Sequence, residues 1–510
     1  MGEEETYLST TQEVFKIIED GAANAMTIEQ IIKQEIDDWY NSQDRKDMLA
    51  GEKYYRNKSD ILDRKRMTIG DGGAQIEAKN LANNKIVHGF LRKLVDQKAG
   101  YLLSKEMSIQ TENKVYDEML SGFFDKGFKR MLKSLLKESI KKGRAWLHIY
   151  YDEKGNFRFK MLPSEEIIPL WRDAAHTDLQ ALIRVYEVEA YQGTKKTTIQ
   201  KVEYWHSKGV NRYVVGSSSH LPTPSISGLI SDVESGGNSG HFSVIDEKEE
   251  TDEKALNWER IPFICFKYNE DELPLISLLK SQIDEYDQKK SDNSNNLEDL
   301  PNSVYVIRGY EGSDLGEFRR NLSILRAVKV SADDNSGVDT LNLEIDTEAY
   351  KTHMDMTRND IYEFGRGVDT QADSFATAPS GEALKFLYAD LDMDANDIEN
   401  EFQAALEQLL WFVNTHLANT TSIDFSEETV NFLFNRDIVI NESQVITDAK
   451  NSVGIVSDET ILANHPWVTN TKEEIKRKAD EEKAALKDME DYGLQGDSKG
   501  NAKLEEDDKK

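Results

Sequence analysis

The sequence predicts an α+β protein of several structural units, and three observations carry that reading. A helical apolar stripe of unusual length runs from Pro379 to Leu417. Short β-branched and aromatic runs crowd the middle of the chain. The first ~140 residues are instead periodic in the helical sense. With 510 residues the chain can bury several cores.

The stripe places Leu384, Leu387, Leu391, Ala395, Ile398, Phe402, Ala405, Leu409, Phe412 and Leu417 on one helical face. No Pro interrupts it, and Pro379-Ser380-Gly381-Glu382 offers a polar cap and an acidic first turn. At about 1.5 Å per residue the rod would be roughly 55 Å long, against ~11–12 residues for an ordinary helix. Such a rod suits a strut in a large assembly.

In the N-terminal part, Thr27 to Gln30 reads as a capping box ahead of Ile31, Ile32, Ile36 and Trp39. Ile86, Phe90, Leu94, Val95, Tyr101 and Leu102 predict a buried helix, and Met119 to Ile140 a third helical region. Gly70 to Gly73 is a loop, preceded by Arg64-Lys65-Arg66. Strands follow at Ala145–Tyr151, Phe157–Leu162, Leu182–Val188, Thr197–Tyr204 and Arg212–Val215, an antiparallel meander. Gly216 to Lys254, rich in Ser, Gly and Asp, reads as a long surface excursion or partly disordered loop. A strand at Ile261–Tyr268 leads to a helix from Pro274 to Leu297, with Leu275, Leu278, Leu279, Ile283 and Tyr286 inward. A small α/β piece comes next: strand Val304–Arg308, helix Leu315–Leu322, and strands Arg326–Val330 and Val338–Leu343. Asp346 would cap a helix reaching Phe364, with Ala349, Tyr350, His353, Met354, Ile361 and Phe364 on its apolar face. Gly365 to Ser380 is the loop before the rod. The tail from Thr471 is highly charged, with an exposed helix at Glu473–Glu490 and disorder from Asp491.

The charge balance, 63 basic against 94 acidic residues, gives −31. It excludes a tight nucleic-acid binder, because such proteins neutralise phosphates with Lys and Arg. A surface past which DNA slides without sticking remains compatible. Cys265 is the only cysteine, so there is no intrachain disulfide and no cysteine zinc site. No apolar run approaches a membrane span and no signal-peptide pattern opens the chain, so a soluble, intracellular product is expected.

No catalytic constellation emerges. Gly70-Asp71-Gly72-Gly73 lacks the Lys-Ser/Thr of a phosphate loop and reads as a turn. The nine histidines are scattered, and His148 sits in a strand as a packing or surface residue. Asp37-Asp38, Glu165-Glu166 and Asp333-Asp334 read as solvated faces or turns, and Cys265 as a small buried hydrophobe. Neither a metal nor a cofactor is expected.

The order helix, small insert, helix, loop and long rod, set on an α+β body, resembles the portal, or head-to-tail connector, proteins of tailed double-stranded DNA bacteriophages of Gram-positive hosts. Gly51 to Asn57 with Asp60 to Arg66 resembles the early segment of that family. Leu94 to Lys105 is similar to its helix ending in a Tyr-Leu-x-Gly-like turn, with Ser104 where Gly is usual. Most telling is Gly367-Val368-Asp369-Thr370 followed by Ser380 to Tyr388 and Leu391-Asp392.

The resemblance implies a portal fold with an α/β wing, a two-helix stem, a small α/β clip, a long spanning helix and a helical crown. Carried onto this chain, the wing is 1–272 with a flexible excursion at 216–254, and the stem helices are 273–302 and 346–364. The clip is 303–345, the tunnel loop 365–380, the long wing helix 381–425, the crown 426–487, and 488–510 a disordered acidic tail. It implies a ring of about twelve subunits at one capsid vertex, in the virion, assembled in the host cytoplasm. Expected partners are double-stranded DNA in the channel, terminase, major capsid and scaffolding proteins, and head-completion or connector proteins. The DNA-facing residues would be Arg366, Asp369, Gln371, Asp373, Ser374 and Thr377. Terminase or connector docking would use Arg308, Arg319, Arg320, Arg326 and Lys329, although seven acids accompany them in the clip. The loop residues are expected to matter little to the subunit core, so that a Lys at Asp369 or Asp373 would be structurally cheap. The competing readings are a minor structural head or scaffold protein without a DNA channel, and a hydrolase working through the many carboxylates.

Overall fold

Thr27 starts the first helix as the sequence predicts: its hydroxyl accepts from the Gln30 amide while the Gln30 side chain accepts from the Thr27 amide, at 3.3 and 2.9 Å. The computed structural model describes residues 26–69, 74–78, 81–192, 194–215, 228–245, 253–298, 303–308, 337–342, 347–371, 386–436, 442–463, 465, 467–468 and 471–493. Helix α1 (Ile28–Asn41) buries Ile31, Ile32, Ile36 and Trp39, and Ser42 ends it while capping α2 (Gln43–Tyr55). An antiparallel ribbon follows, β1 (Met67–Ile69) with β2 (Gln75–Glu77). Then come α3 (Phe90–Leu102), β3 (Ser108–Gln110), α4 (Lys114–Phe123) and α5 (Lys126–Lys142). Asn113 and Asp125 cap the last two helices. Gly143 ends α5 at φ +81°, where a Cβ would collide with the Glu272 carbonyl oxygen.

The strands are β4 (Arg144–Tyr151), β5 (Phe157–Leu162), β6 (Ile167–Trp171), β7 (Leu179–Gln192), β8 (Lys195–His206), β9 (Gly209–Val215), β10 (Leu229–Ser231), β11 (Asn238–Ser239), β12 (Phe242–Ile245), β13 (Glu253–Leu256) and β14 (Phe263–Lys267). Strands β14-β4-β5 form one sheet and β10-β9-β8-β7-β6 another, with β11 on β9. The two sheets and α1 share a core in which Trp146 and Trp171 stack at 5.9 Å. The excursion after Gly216 differs from the expected loop: β10, β11, β12 and β13 lie within it or at its end. Only short pairs form there, too brief for periodicity to reveal.

After β14 the chain runs through α6 (Leu275–Glu298), β15 (Ser303–Arg308), β16 (Gly337–Asn342), α7 (Thr347–Phe364), α8 (Ala389–Thr421), β17 (Asn431–Leu433), α9 (Glu442–Asn451), α10 (Asp458–Ala463) and α11 (Thr471–Gly493). Strands β15 and β16 pair antiparallel in full register. The expected helix 315–322 and strand 326–330 lie outside the described residues. Leu279 approaches Gly365 while Glu285 meets His353 at 3.3 Å, so α6 and α7 run antiparallel. Their buried faces are narrower than predicted: Leu278, Ala349, His353 and Phe364 are exposed. Met354 and Ile361 face inward on α7 as expected, and Thr357 and Tyr362 join them.

The chain divides into two compact units, Met1–Asp369 with Ala389–Arg436, and Thr370–Tyr388 with Asp437–Lys510. Residues 426–436, predicted as crown, belong to the first unit because β17 pairs with β3. Helix α8 buries Leu391, Ala395, Ile398, Phe402, Ala405, Leu406, Leu409, Phe412, Val413 and Leu417. Its 33 residues span about 50 Å. Phe402 meets Phe266 of β14 and Phe412 meets Trp258. The predicted cap at Pro379–Glu382 lies outside the described residues.

Candidate functional site

The segment after α7 begins with Arg366 and Asp369, two of the residues singled out from the sequence. The helix ends in a pair of backbone hydrogen bonds: the Gly367 amide donates to the Tyr362 carbonyl at 2.8 Å and the Arg366 amide to the Glu363 carbonyl at 3.0 Å. Arg366 takes the left-handed position of this motif, φ +45°, where Gly is usual and another residue costs about 1–2 kcal/mol. Its guanidinium reaches Asp397 at 3.2 Å on α8. On either side, Gly365 and Gly367 pack so closely on Leu94 that a Cβ at either would collide with it.

Asp369 is not a solvated loop residue. Its carboxylate accepts a fork from Arg358, Nε at 2.6 Å and Nη2 at 2.9 Å, with Lys93 Nζ at 3.7 Å and only 8 % of the side chain exposed. Between Arg366 and Asp369, Gln97 clamps both backbone groups of Val368: its amide donates to the carbonyl at 2.9 Å and its oxygen accepts from the N–H at 3.0 Å. The expectation that the core hardly depends on this segment therefore fails at Asp369. Residues 365–369 are a bolted root.

Beside the root lies a buried ionic node. Lys98, 1 % exposed, donates to Asp394 at 2.8 Å and to the Arg366 carbonyl at 3.3 Å, while the Tyr268 hydroxyl donates to Asp394 at 3.1 Å. Burial pulls the Lys98 pKa down and Asp394 partly restores it; burial, reinforced by Asp394, pushes the Tyr268 hydroxyl far up. The node ties together α3, α8, the end of β14 and the root.

Helix α6 is anchored differently. The extended segment 84–88 lies along it, and alternate amides donate to side chains four apart: Asn84 to Asn295 at 2.6 Å, Ile86 to Ser291 at 2.9 Å and His88 to Asp287 at 3.0 Å. Two extended residues advance about 6.6 Å and four helical residues about 6 Å, so the rungs coincide. Asp287, Ser291 and Asn295 are fully buried by this ladder. Ser59 adds a bond to Asp287 at 2.7 Å, and Arg64 one to Asp292 at 2.6 Å. Residues 59–64 and 84–88 thus form a polar strap. Ile86, predicted on the face of a helix, is one of its rungs.

The structure brings Arg366 and Asp369 to one place. Gln371 is exposed and belongs to the second unit, and Asp373, Ser374 and Thr377 lie outside the described residues. Arg308 ends β15 opposite Gly337, whereas Arg319, Arg320, Arg326 and Lys329 lie outside the described residues. Gln97, Lys98, Arg358 and Asp394 were not singled out from sequence. A signal existed for two of them, since Lys98 and Asp394 are charges set within apolar helical faces. Elsewhere, burial holds His148 down to about 3, and the ring stacks on Phe263 at 4.5 Å. Burial also pushes the Cys265 thiol well above its usual range. Among the described residues, no group of three or more His, Cys, Asp or Glu could hold a metal, and no helix is long and apolar enough to cross a membrane.

Comparison with known proteins places this architecture. The chain is 29 % identical over 510 residues to the portal protein of Bacillus phage SPP1, covering 98 % of this chain and 95 % of that one. It is 29 % identical over 463 residues to the portal protein of Clostridium phage phiCD119, covering 88 % and 95 %. Among solved structures it is similar to a chain from the neck of an empty GTA particle, with a TM-score of 0.39, 11 % identity, and 73 % and 88 % coverage. Residues 37–488 match the family described as phage portal protein, SPP1 Gp6-like, and the chain belongs to that family.

Proposed function

We propose that copies of this portal protein close a head-to-tail ring of about twelve at one capsid vertex, with residues 365–380 lining the channel through which double-stranded DNA enters and leaves. Family membership makes the chain a structural protein of the capsid vertex and not an enzyme. The observation that supports the channel reading best is the bolted root. Gln97, Arg358 and the packing on Leu94 fix residues 365–369 to the body, so the following loop departs from a defined place. A loop that must meet its counterparts around a ring needs such an origin.

The electrostatics agree. Twelve copies of a chain carrying −31 sum to a charge on the order of −370, a wall that repels phosphate and lets DNA slide. In this reading 303–345 docks terminase during packaging and head-completion proteins afterwards, while the body meets capsid and scaffolding proteins. Nucleotide hydrolysis belongs to the docked terminase, and assembly precedes incorporation into the virion in the host cytoplasm.

Native mass spectrometry with negative-stain imaging tests the ring, with closed rings expected; a stable monomer at micromolar concentration overturns it. Asp373→Lys tests the channel separately. Packaged DNA, measured at two salt concentrations, should fall with rings intact and fall more at low salt. Unchanged packaging at both removes this loop from the mechanism.

A further inference from the structure

The chain leaves the first unit twice, after Asp369 and after Arg436. The second exit is bolted much as the root is. The Asn435 carbonyl accepts from the Lys105 amide at 3.3 Å and from the Ser104 hydroxyl at 3.2 Å. The Asn435 side-chain amide donates to the Glu106 carbonyl at 2.9 Å. Arg436 then reaches α8: one guanidinium nitrogen donates to Asp392 at 2.8 Å and to Asn396 at 2.6 Å, and the other donates to Glu399.

Both exits therefore use the same two elements. The end of α3 gives Gln97 to Val368 and Lys98 to the Arg366 carbonyl, and the residues just beyond it hold Asn435. The first turns of α8 give Asp394 and Asp397 to the first exit, and Asp392, Asn396 and Glu399 to the second. At 3.6 residues per turn these two sets lie about 160° apart. They flank the buried face of Leu391, Ala395, Ile398 and Phe402 on its two sides. Tyr101 closes the circuit: its hydroxyl donates at 2.9 Å to the Asp392 oxygen that Arg436 also holds. The stretch Leu94–Lys105 thus supplies Gln97, Lys98, Tyr101, Ser104 and Lys105 to a single network.

We propose that Arg436 is a positioning residue for the channel loop: with Asp392 and Tyr101 it makes the two exits one mount, so that loosening the second loosens the first. The proposal rests on the channel reading of residues 365–380 and deepens it. Without Arg436, Asp392 and Glu399 lose the cation that joins them, and the first turns of α8 open more readily. Asp394 and Asp397, which hold Lys98 and Arg366, belong to those same turns. The loop and residues 437–510 depart from this common base, and a displacement at one exit is felt at the other.

Hydrogen exchange read by mass spectrometry on the purified full chain tests this. Arg436→Gln should speed exchange at least about threefold both in peptides covering 392–399 and in those covering 365–368, with β4 unchanged. The Gly367 and Val368 amides report the first exit, since they are bonded to the Tyr362 carbonyl and to Gln97. Arg436→Lys, which keeps the charge without the fork, should fall in between. Acceleration confined to 392–399 overturns the proposal, because Arg436 is then a local brace. If Arg436→Gln accelerates β4 as well, Tyr101→Phe decides, since it removes only one hydroxyl from Asp392. Faster exchange at 365–368 in that variant supports the mount, and no change there overturns it. The readout needs neither DNA nor a ring, so the channel reading can fail through Asp373→Lys while the mount stands, and the reverse.

Discussion

Helices α8 and α6 are both long, both belong to the first unit, and are held by opposite chemistry. Along α8 the buried face is apolar at helical spacing from Leu391 to Leu417, with Asp394 the one charged residue in it. Along α6 the buried apolar residues stop at Ile283, and the buried stripe continues as Asp287, Ser291 and Asn295. Apolar burial is non-directional and adds roughly 25 cal/mol per Å² wherever area is covered. A hydrogen-bonded rung contributes a net ~0.5–1.5 kcal/mol, yet leaving its partner unpaired costs ~1–3 kcal/mol. Helix α8 thus supplies stability, and the second half of α6 supplies register.

The sharpest way to break this comparison is to empty the α8 core. Phe402→Ala should destabilise the unit by about 3–5 kcal/mol in chemical denaturation, since Phe402 is fully buried against Phe266. A loss under ~1 kcal/mol would show that the helix is held by something else. Nearly as large is Asp394→Ala, about 3 kcal/mol, because it leaves the Lys98 ammonium buried without its partner. Adding Lys98→Met should recover much of that loss, which a purely steric effect would not allow.

Asp369→Lys should cost about 2–3 kcal/mol in thermal or chemical unfolding, because the new cation meets Arg358 and Lys93 where a carboxylate was. Asp369→Asn, which retains an acceptor, should cost less. Equal effects would point to shape and not charge. Asp287→Ala should move the global midpoint by only ~1–2 kcal/mol while hydrogen exchange at Ile86 and His88 rises strongly. Protection unchanged at those amides would remove the ladder from the account.

The smallest effect is in acid. Burial would raise the Glu272 carboxyl, but His176, Arg144 and Lys267 outweigh it and hold it down to about 2. A depressed carboxylate contributes stability that is complete above its unfolded value, near 4.5, and is lost as pH falls towards 2. Glu272→Gln should therefore narrow the stability difference between pH 6 and pH 3, as read from denaturation midpoints.

The sequence revealed what repeats. The stripe of α8 and the faces of α1 and α3 are periodic, and periodicity is visible without coordinates. The strap was invisible for the converse reason. Its donors are backbone amides, which every residue carries, and its acceptors Asp287, Ser291 and Asn295 look like a solvated helix face. The same blindness affected the root. Asp369 reads as one more acid in an acidic chain until Arg358, eleven residues earlier, is seen folded back onto it. Leu278 and Phe364 erred in the other direction, because an apolar residue on a helix does not say which of its neighbours will cover it.

The ladder on α6 also behaves as a vernier between two rulers of unequal pitch. Its rungs gain about 0.6 Å of mismatch at each step, so a run of three stays within bonding tolerance while a run twice as long would drift out of phase. The scale also dictates which length changes the region can absorb. Two residues added between Asn84 and His88 shift the phase by one whole rung, and one residue turns every amide away from the helix. In α6 the corresponding quantum is a full turn.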